Sequence, residues 1–293
     1  MTELVATPGV RGELYLPSRA RGPLPAVVIL SSSAGVCDVR ERFYARSFAS
    51  RGLAALVVDS FGPRGIAETM TDQSRLPEAA MEGDAYAAYD VLAADGRIDP
   101  RRVAVMGVSK GGLAALGTAL CVRRAWFSRR RPDFAARVAL CPPAHLQQRD
   151  ARTEPGPVLV LLAGRDDYAG LAPARDYVLR LRAAGRADVS LAVYAEAHHA
   201  WERPGPPVWL PDVENYSRCR FFVDDAGGLV EPLSGHRLPL DAFYRRREAF
   251  LTRGGHAGGG DEALRARTVA DILRFLSEQA DFPIAPNPET QGA

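Results

Sequence analysis

The stretch "RVAVMGVSKGGLAAL", residues 102–116, constrains the fold more than any other part of the chain. A β-rich apolar run comes first, and an apolar helical pattern follows it. Gly107, Ser109 and Gly111 lie between the two and match the pattern G-x-S-x-G. A strand that turns directly into a helix brings neighbouring backbone very close, and glycines on both sides of the serine relieve this crowding. The context predicts a nucleophile elbow, which exposes the serine hydroxyl at the end of a sheet.

Continuous apolar runs alternate with helical patterns along most of the chain. The predicted strands are 26–30, 53–59, 102–108, 136–140, 157–164 and 189–194, and the predicted helices are 39–51, 77–94, 113–120, 172–185 and 262–280. Strands that are buried on both faces have continuous apolar sequences, so we expect an α/β fold with a mostly parallel sheet and helices on both faces. The segment "RGELYLP" (11–17) is expected to add an antiparallel edge hairpin.

The pattern breaks between residues 203 and 260, where proline and glycine are frequent. We interpret this stretch as an insertion before the last helix of a single domain (1–293), because 293 residues with 47% hydrophobic content suffice for one large core. Residues 218–232 predict a small hairpin inside it. Long insertions are often functional, so one hypothesis is a partial lid over Ser109. Packing on the outside, or dimerisation, is the alternative.

Composition excludes several classes of function. The net charge of +2 gives no strong field for nucleic acid, and no apolar run approaches the roughly 20 residues of a membrane span. The four cysteines form no C-x-x-C pair, so neither a zinc site nor a disulfide framework is expected. The N-terminus lacks the features of a signal peptide. We therefore expect a cytoplasmic protein with reduced thiols, no metal and no cofactor.

A catalytic serine needs a base, and the base needs an acid that orients it. Asp166 and Asp167 follow the predicted strand 157–164, and His198 and His199 follow the strand 189–194. The carboxyl ends of parallel strands meet at one edge of the sheet, where ligands bind. The order Ser, Asp, His is also that of the hydrolase elbow. These positions predict a Ser–Asp–His site in which either aspartate is a candidate.

Together, several motifs resemble the dienelactone hydrolase family of the α/β-hydrolase fold, in particular its serine-nucleophile branch. They are "DSFGPRG" (59–65), "AADGRIDPRRVAVMGVSKGG" (93–112), "FAARVALCPPA" (134–144), "LLAGRDD" (161–167) and "YAEAHHAW" (194–201). The resemblance covers roughly residues 24–201. It implies the α/β-hydrolase fold and an enzyme that acts on carboxylic ester bonds.

The resemblance also implies roles for individual residues. In the family pattern Y-x-x-A-x-H-x-F, the histidine is His199, which is the implied base, and Trp201 takes the last position as a candidate substrate contact. The acid of such folds stands three residues after a glycine that ends the strand. Gly164 ends the strand here, so Asp167 is the implied acid and Asp166 the alternative.

The oxyanion hole is expected to use the backbone N–H of Lys110 and one from the loop "SSSAG" (31–35), assigned to Ser33. Relatives often have His-Gly in this loop. Lys110 is also the only lysine in the chain. Its side chain is either solvated or a compact ammonium at a position where a guanidinium does not fit. Arg64 either binds a substrate carboxylate in a bidentate manner or stiffens its loop.

We therefore expect a serine hydrolase that cleaves an ester, lactone or thioester of a small acyl substrate through an acyl-enzyme. An acyltransferase or cyclase that uses the same intermediate is the alternative, and a ligand-binding protein without catalysis is a third hypothesis. The founding members of the family use a cysteine nucleophile, so dienelactone itself is not an expected substrate. A homodimer is left open.

Overall fold

The computed structural model describes residues 1–18, 22–127, 134–185 and 187–286. The strands are β1 (Thr2–Thr7), β2 (Val10–Tyr15), β3 (Leu24–Leu30), β4 (Ala54–Val58), β5 (Ile98–Val108), β6 (Ala136–Leu140), β7 (Leu146–Gln148), β8 (Gly156–Ala163), β9 (Ala187–Tyr194), β10 (Pro207–Asn215), β11 (Phe221–Val223), β12 (Leu229–Val230), β13 (Arg237–Leu238) and β14 (Thr252–Gly258). The α-helices are α1 (Glu41–Ser50), α2 (Glu78–Ala94), α3 (Lys110–Gly117), α4 (Cys121–Phe127), α5 (Leu171–Ala184), α6 (Leu240–Arg245) and α7 (Glu262–Ala280).

Eight strands form the central sheet in the order β1-β2-β4-β3-β5-β6-β8-β9. The six strands from β4 to β9 in this order pair in parallel. β1 and β2 form the predicted antiparallel hairpin and extend the sheet beyond β4. All seven residues of β3 and all five of β4 and of β6 are buried, as expected for strands that are covered on both faces.

Apolar side chains cover the two faces of this sheet. One core contains Tyr44 and Phe48 of α1 and Leu276 of α7, packed against β3, β5 and β6. A second core contains Met81 and Leu92 of α2 on the opposite face. The predicted layered α/β fold is therefore confirmed.

The insertion forms two small sheets. β10 pairs with β14 in an antiparallel ribbon, with a register shift between Leu210 and Glu214. β11 and β12 form the predicted hairpin, β13 extends it, and β7 joins it in parallel from the core domain. A separate apolar cluster that includes Tyr216, Phe221 and Phe243 supports this part of the chain.

Across the residues that are described, no helix combines the length and the apolar character needed to cross a bilayer.

Candidate active site

Ser109 lies at the tight turn between β5 and α3, with φ 55° and ψ −120°. Its N–H donates to the carbonyl of Leu140 at 2.8 Å, which fixes the turn against β6. A Cβ at Gly107 would lie 2.2 Å from the Gly111 carbonyl carbon, and a Cβ at Gly111 would lie 2.5 Å from the Leu30 oxygen. Only glycine fits at either position. The local geometry is that of the predicted elbow.

A continuous line of hydrogen bonds joins three side chains at the carboxyl edge of the sheet. The Oγ of Ser109 lies 2.8 Å from Nε2 of His199, and Nδ1 of His199 lies 2.8 Å from Oδ2 of Asp166. Ser109 and His199 are buried, and the side chain of Asp166 is only 4% exposed. A nucleophile, a base and an orienting acid are thus within reach of one another.

Burial and pairing act against each other in this group. Burial disfavours the charged form of Asp166, but the facing His199 and backbone N–H groups lower the pKa of this carboxyl below its ordinary value. Burial also disfavours the imidazolium of His199, yet the neighbouring Asp166 raises its pKa well above the ordinary value. The pair therefore favours a carboxylate that stabilises a developing imidazolium.

The prediction that Asp167 pairs with His199 is wrong. Oδ2 of Asp167 lies 2.7 Å from Nδ1 of His256, its Oδ1 accepts the N–H of that residue, and its side chain is 47% exposed. Asp166 instead turns inward, because its Oδ1 accepts the N–H groups of Tyr168 and Ala169 at 3.1 and 2.7 Å. This turn points the other carboxylate oxygen at the histidine. Two adjacent aspartates carry no sequence signal that distinguishes these positions.

Ser33 and Lys110, the predicted oxyanion-hole residues, flank the serine. Ser33 is buried and lines the same cavity as Ser109 and His199. Lys110 is the first residue of α3, and N–H groups in the first turn of a helix have no intrahelical acceptor. Both backbone positions are therefore compatible with the predicted donor role.

The side chain of Lys110 is buried, so the interpretation of a solvated lysine is wrong. Nζ is buried and donates to the carbonyl oxygen of Gln73 at 3.0 Å, to its Oε1 at 2.9 Å and to Oγ1 of Thr69 at 3.3 Å. Burial lowers the pKa of Lys110, and neighbouring carboxylates, Glu78 foremost, oppose the shift. A compact ammonium with three acceptors around it agrees with the second interpretation, in which a guanidinium does not fit at this position.

Neither Arg64 nor Trp201, the candidate substrate contacts, lines the cavity at Ser109. The guanidinium of Arg64 forms two hydrogen bonds of 2.8 Å with Asp84, which stiffens its loop. Trp201 is fully buried, and its Nε1 donates to Oγ1 of Thr268 in α7 at 2.9 Å. A partner 67 residues away in sequence makes this tryptophan part of the core.

The cavity around Ser109 is narrow, with about 20 Å³ open to water-sized molecules, room for about one. The residues that line it and that sequence reasoning missed are Gln73, Glu78, Pro143, His145, Tyr168, Ala169, Glu214 and Tyr216. Only Glu214 and Tyr216 had a signal, because both belong to the insertion that was expected to cover Ser109.

Two of these residues, Glu214 and Tyr216, come from the insertion. Glu214 is buried at the end of β10, accepts the N–H of Gln73 at 2.8 Å and pairs with Nε of Arg247 at 2.6 Å. Tyr216 stacks on His145, with ring centroids 4.5 Å apart. Burial lowers the pKa of His145 to about 4, so this imidazole is neutral at physiological pH. The insertion therefore contributes part of the cavity wall.

The strand order, the elbow and the Ser–His–Asp arrangement are those of the α/β-hydrolases. The sequence profile of the dienelactone hydrolase family matches residues 10–220. The chain therefore belongs to the dienelactone hydrolase family, whose members are ester-hydrolysing enzymes of this fold.

Individual relatives are more distant. An uncharacterized protein of Mycobacterium tuberculosis is 31% identical over 109 residues, which is 37% of this chain and 36% of that protein. A protein of Methylorubrum extorquens named "Putative carboxymethylenebutenolidase" is 27% identical over 193 residues, which are 61% of this chain and 64% of that protein. The chain thus spans less than two thirds of the length of either. Thermogutta terrifontis esterase 2, in a structure phosphorylated by paraoxon, has a TM-score of 0.61 at 15% identity, with 98% of this chain and 95% of that chain covered.

Proposed function

We propose that this protein hydrolyses carboxylic esters, with lactones and thioesters as related substrates, through an acyl-enzyme on Ser109. The observation that carries the proposal is the buried line from Ser109 through His199 to Asp166, with both contacts at 2.8 Å. A protein that only binds a ligand has no use for this arrangement. Membership of the dienelactone hydrolase family supports the reaction class.

The steps follow from the geometry. Oγ of Ser109 attacks the ester carbonyl while Nε2 of His199 takes the hydroxyl proton, and Asp166 holds the hydrogen on Nδ1. The C–O bond to the leaving group breaks, and His199 returns the proton to the departing alcohol. A water molecule then attacks the acyl-enzyme with His199 again as the base, and the carboxylic acid and free Ser109 result.

The negative charge on the carbonyl oxygen needs donors in place before it develops. The N–H of Lys110 and the N–H of Ser33 are the proposed pair. Each such donor contributes about 3–4 kcal/mol to the transition state. The α3 N-terminus adds its positive end at the same point.

The cavity supports a small acyl substrate. About 20 Å³ of open space at the nucleophile excludes a long acyl chain without rearrangement. Glu78 and Gln73 present a carboxylate and an amide to the same space as the neutral imidazole of His145. These groups are able to form hydrogen bonds that orient a bound substrate.

The insertion (203–260) is proposed as a partial lid that sets which acyl group enters. Its residues Glu214 and Tyr216 line the cavity together with Ser109. The pairing of Glu214 with Gln73 ties this segment to the region that also surrounds Lys110. Because these residues form part of the wall of the Ser109 cavity, the insertion selects which acyl group enters.

A series of p-nitrophenyl esters of increasing acyl length tests the proposal. The highest kcat/KM is expected for the shortest acyl groups, and intact mass spectrometry with a fluorophosphonate is expected to show one adduct. Ser109→Ala is the matched control and should lose about 10⁶-fold in activity together with the adduct. Products that contain an added alcohol or amine, in preference to free acid, would instead identify an acyltransferase. Absence of both turnover and adduct would leave a binding protein.

A further inference from the structure

A second group of polar side chains lies beside the site, on its solvent side. Asp167, His198 and His256 each offer a ligand atom, and these atoms lie within 4.8 Å of one another. Asp167 follows β8, His198 follows β9, and His256 lies in β14 of the insertion. None of the three has a role in the reaction proposed for Ser109.

The side chains of this group are partly preorganised by contacts with one another and with Trp209. Asp167 holds His256 through two hydrogen bonds, of 2.7 Å to Nδ1 and 2.8 Å from the backbone N–H. The rings of His198 and His256 have centroids 5.6 Å apart, and Trp209 packs at 5.0 Å against the ring of His256. Nδ1 of His198 is buried and has no hydrogen-bond partner within the described part of the chain.

The donor set has a defined chemical preference. Two imidazole nitrogens and one carboxylate oxygen suit first-row divalent transition metals such as Zn²⁺, whereas Mg²⁺ and Ca²⁺ prefer oxygen ligands. The side chains of Asp167 and His256 are 47% and 39% exposed, so an ion reaches them from solvent. The sequence pattern did not indicate this site, because its ligands are one aspartate and two histidines from segments that lie far apart in the sequence.

We propose that Asp167, His198 and His256 form a binding site for one divalent transition metal ion, with Zn²⁺ as the representative, completed by water. The ion takes the place of the hydrogen that now lies between Asp167 and His256, and the other ring nitrogen of His256 keeps a proton. Rotation of the side chains brings the ligand atoms to the about 2.0–2.2 Å that zinc requires. The bound ion cross-links the insertion to both loops that carry Asp166 and His199.

Zinc titration of the chelator-treated, untagged chain tests the site, with Ser109→Ala as the protein so that the result does not depend on hydrolysis. Isothermal calorimetry is expected to show one Zn²⁺ per chain and no binding of Mg²⁺. His256→Ala should weaken Zn²⁺ binding by at least about tenfold, since even changes outside the ligand shell cost about 10–100-fold. The matched control His236→Ala replaces an exposed histidine of the same insertion and should bind Zn²⁺ as the parent does.

Three results would overturn the site: no binding of Zn²⁺, equal affinity in His256→Ala, or equal loss in His236→Ala. His198→Gln provides a second ligand variant if the first fails to fold. If both ligand variants unfold, electron paramagnetic resonance of Cu²⁺ on the parent chain decides. Splitting from two imidazole nitrogens supports the site, and splitting from one or none refutes it.

Discussion

Replacement of Asp166 by asparagine tests the orientation of the catalytic histidine. Oδ1 of Asp166 accepts the N–H groups of Tyr168 and Ala169, and the asparagine Oδ1 is able to keep both bonds. The new amide NH₂ then faces Nδ1 of His199, where the carboxylate lay at 2.8 Å. An amide donor there forces the imidazole hydrogen onto Nε2, and this tautomer is unable to accept the proton of Ser109.

The expected loss in kcat is about 10⁴-fold, equivalent to about 5.5 kcal/mol of transition-state stabilisation. Because the loop contacts are kept, we expect the unfolding transition and KM to change little. Steady-state hydrolysis of p-nitrophenyl acetate measures kcat and KM, and circular dichroism measures folding.

Variants of two other aspartates serve as controls for this result. Asp176→Asn removes an aspartate that pairs with Arg220 on the surface of α5, and activity should be unchanged. Asp167→Asn, assayed after chelator treatment, should lower kcat far less than Asp166→Asn, because its carboxylate contacts His256 and not His199. A larger loss in Asp167→Asn than in Asp166→Asn would refute the assignment of the acid.

Three other changes probe the elbow, the buried lysine and the insertion. Lys110→Met leaves buried acceptors without their donor and should lower the free energy of unfolding by about 2–4 kcal/mol in urea denaturation; an unchanged midpoint would contradict the buried role. Gly107→Ala places a Cβ 2.2 Å from the backbone of Gly111 and should lower the free energy of unfolding by about 3 kcal/mol or more. The control Gly96→Ala, with nothing within 4 Å, should lower it far less, and similar melting temperatures of the two variants would argue against the crowded turn. Tyr216→Ala should raise kcat/KM for butyrate relative to acetate by about tenfold, while Phe222→Ala, outside the cavity, should leave the ratio unchanged; equal ratios in both would count against the lid.

Much of the core fold could be predicted because its signals are local. β6 (136–140) and α7 (262–280) have the predicted bounds, and the edge hairpin and the helices on both faces follow the predicted pattern. Within the insertion, the sequence predicts only one element of secondary structure, the hairpin at 218–232. Its ribbon of β10 and β14 joins strands that lie far apart in sequence, and β7 pairs with β11 from outside the insertion, so local patterns gave no sign of either.

The sequence predicted the elbow at Ser109 and, through the resemblance to the family pattern at 194–201, the histidine at position 199 that contacts it. A Cβ at Gly107 would meet the backbone of Gly111 only four residues away, so this part of the elbow is a local signal, and the two adjacent histidines follow a strand whose end the apolar run defines. Only the tertiary structure decided the rest. Asp166 rather than Asp167 faces His199 because an inward turn is fixed by hydrogen bonds, and Lys110 is buried because Gln73 and Thr69 come from a distant loop. Side-chain direction and burial depend on partners remote in sequence, and these partners exist only once the chain has folded.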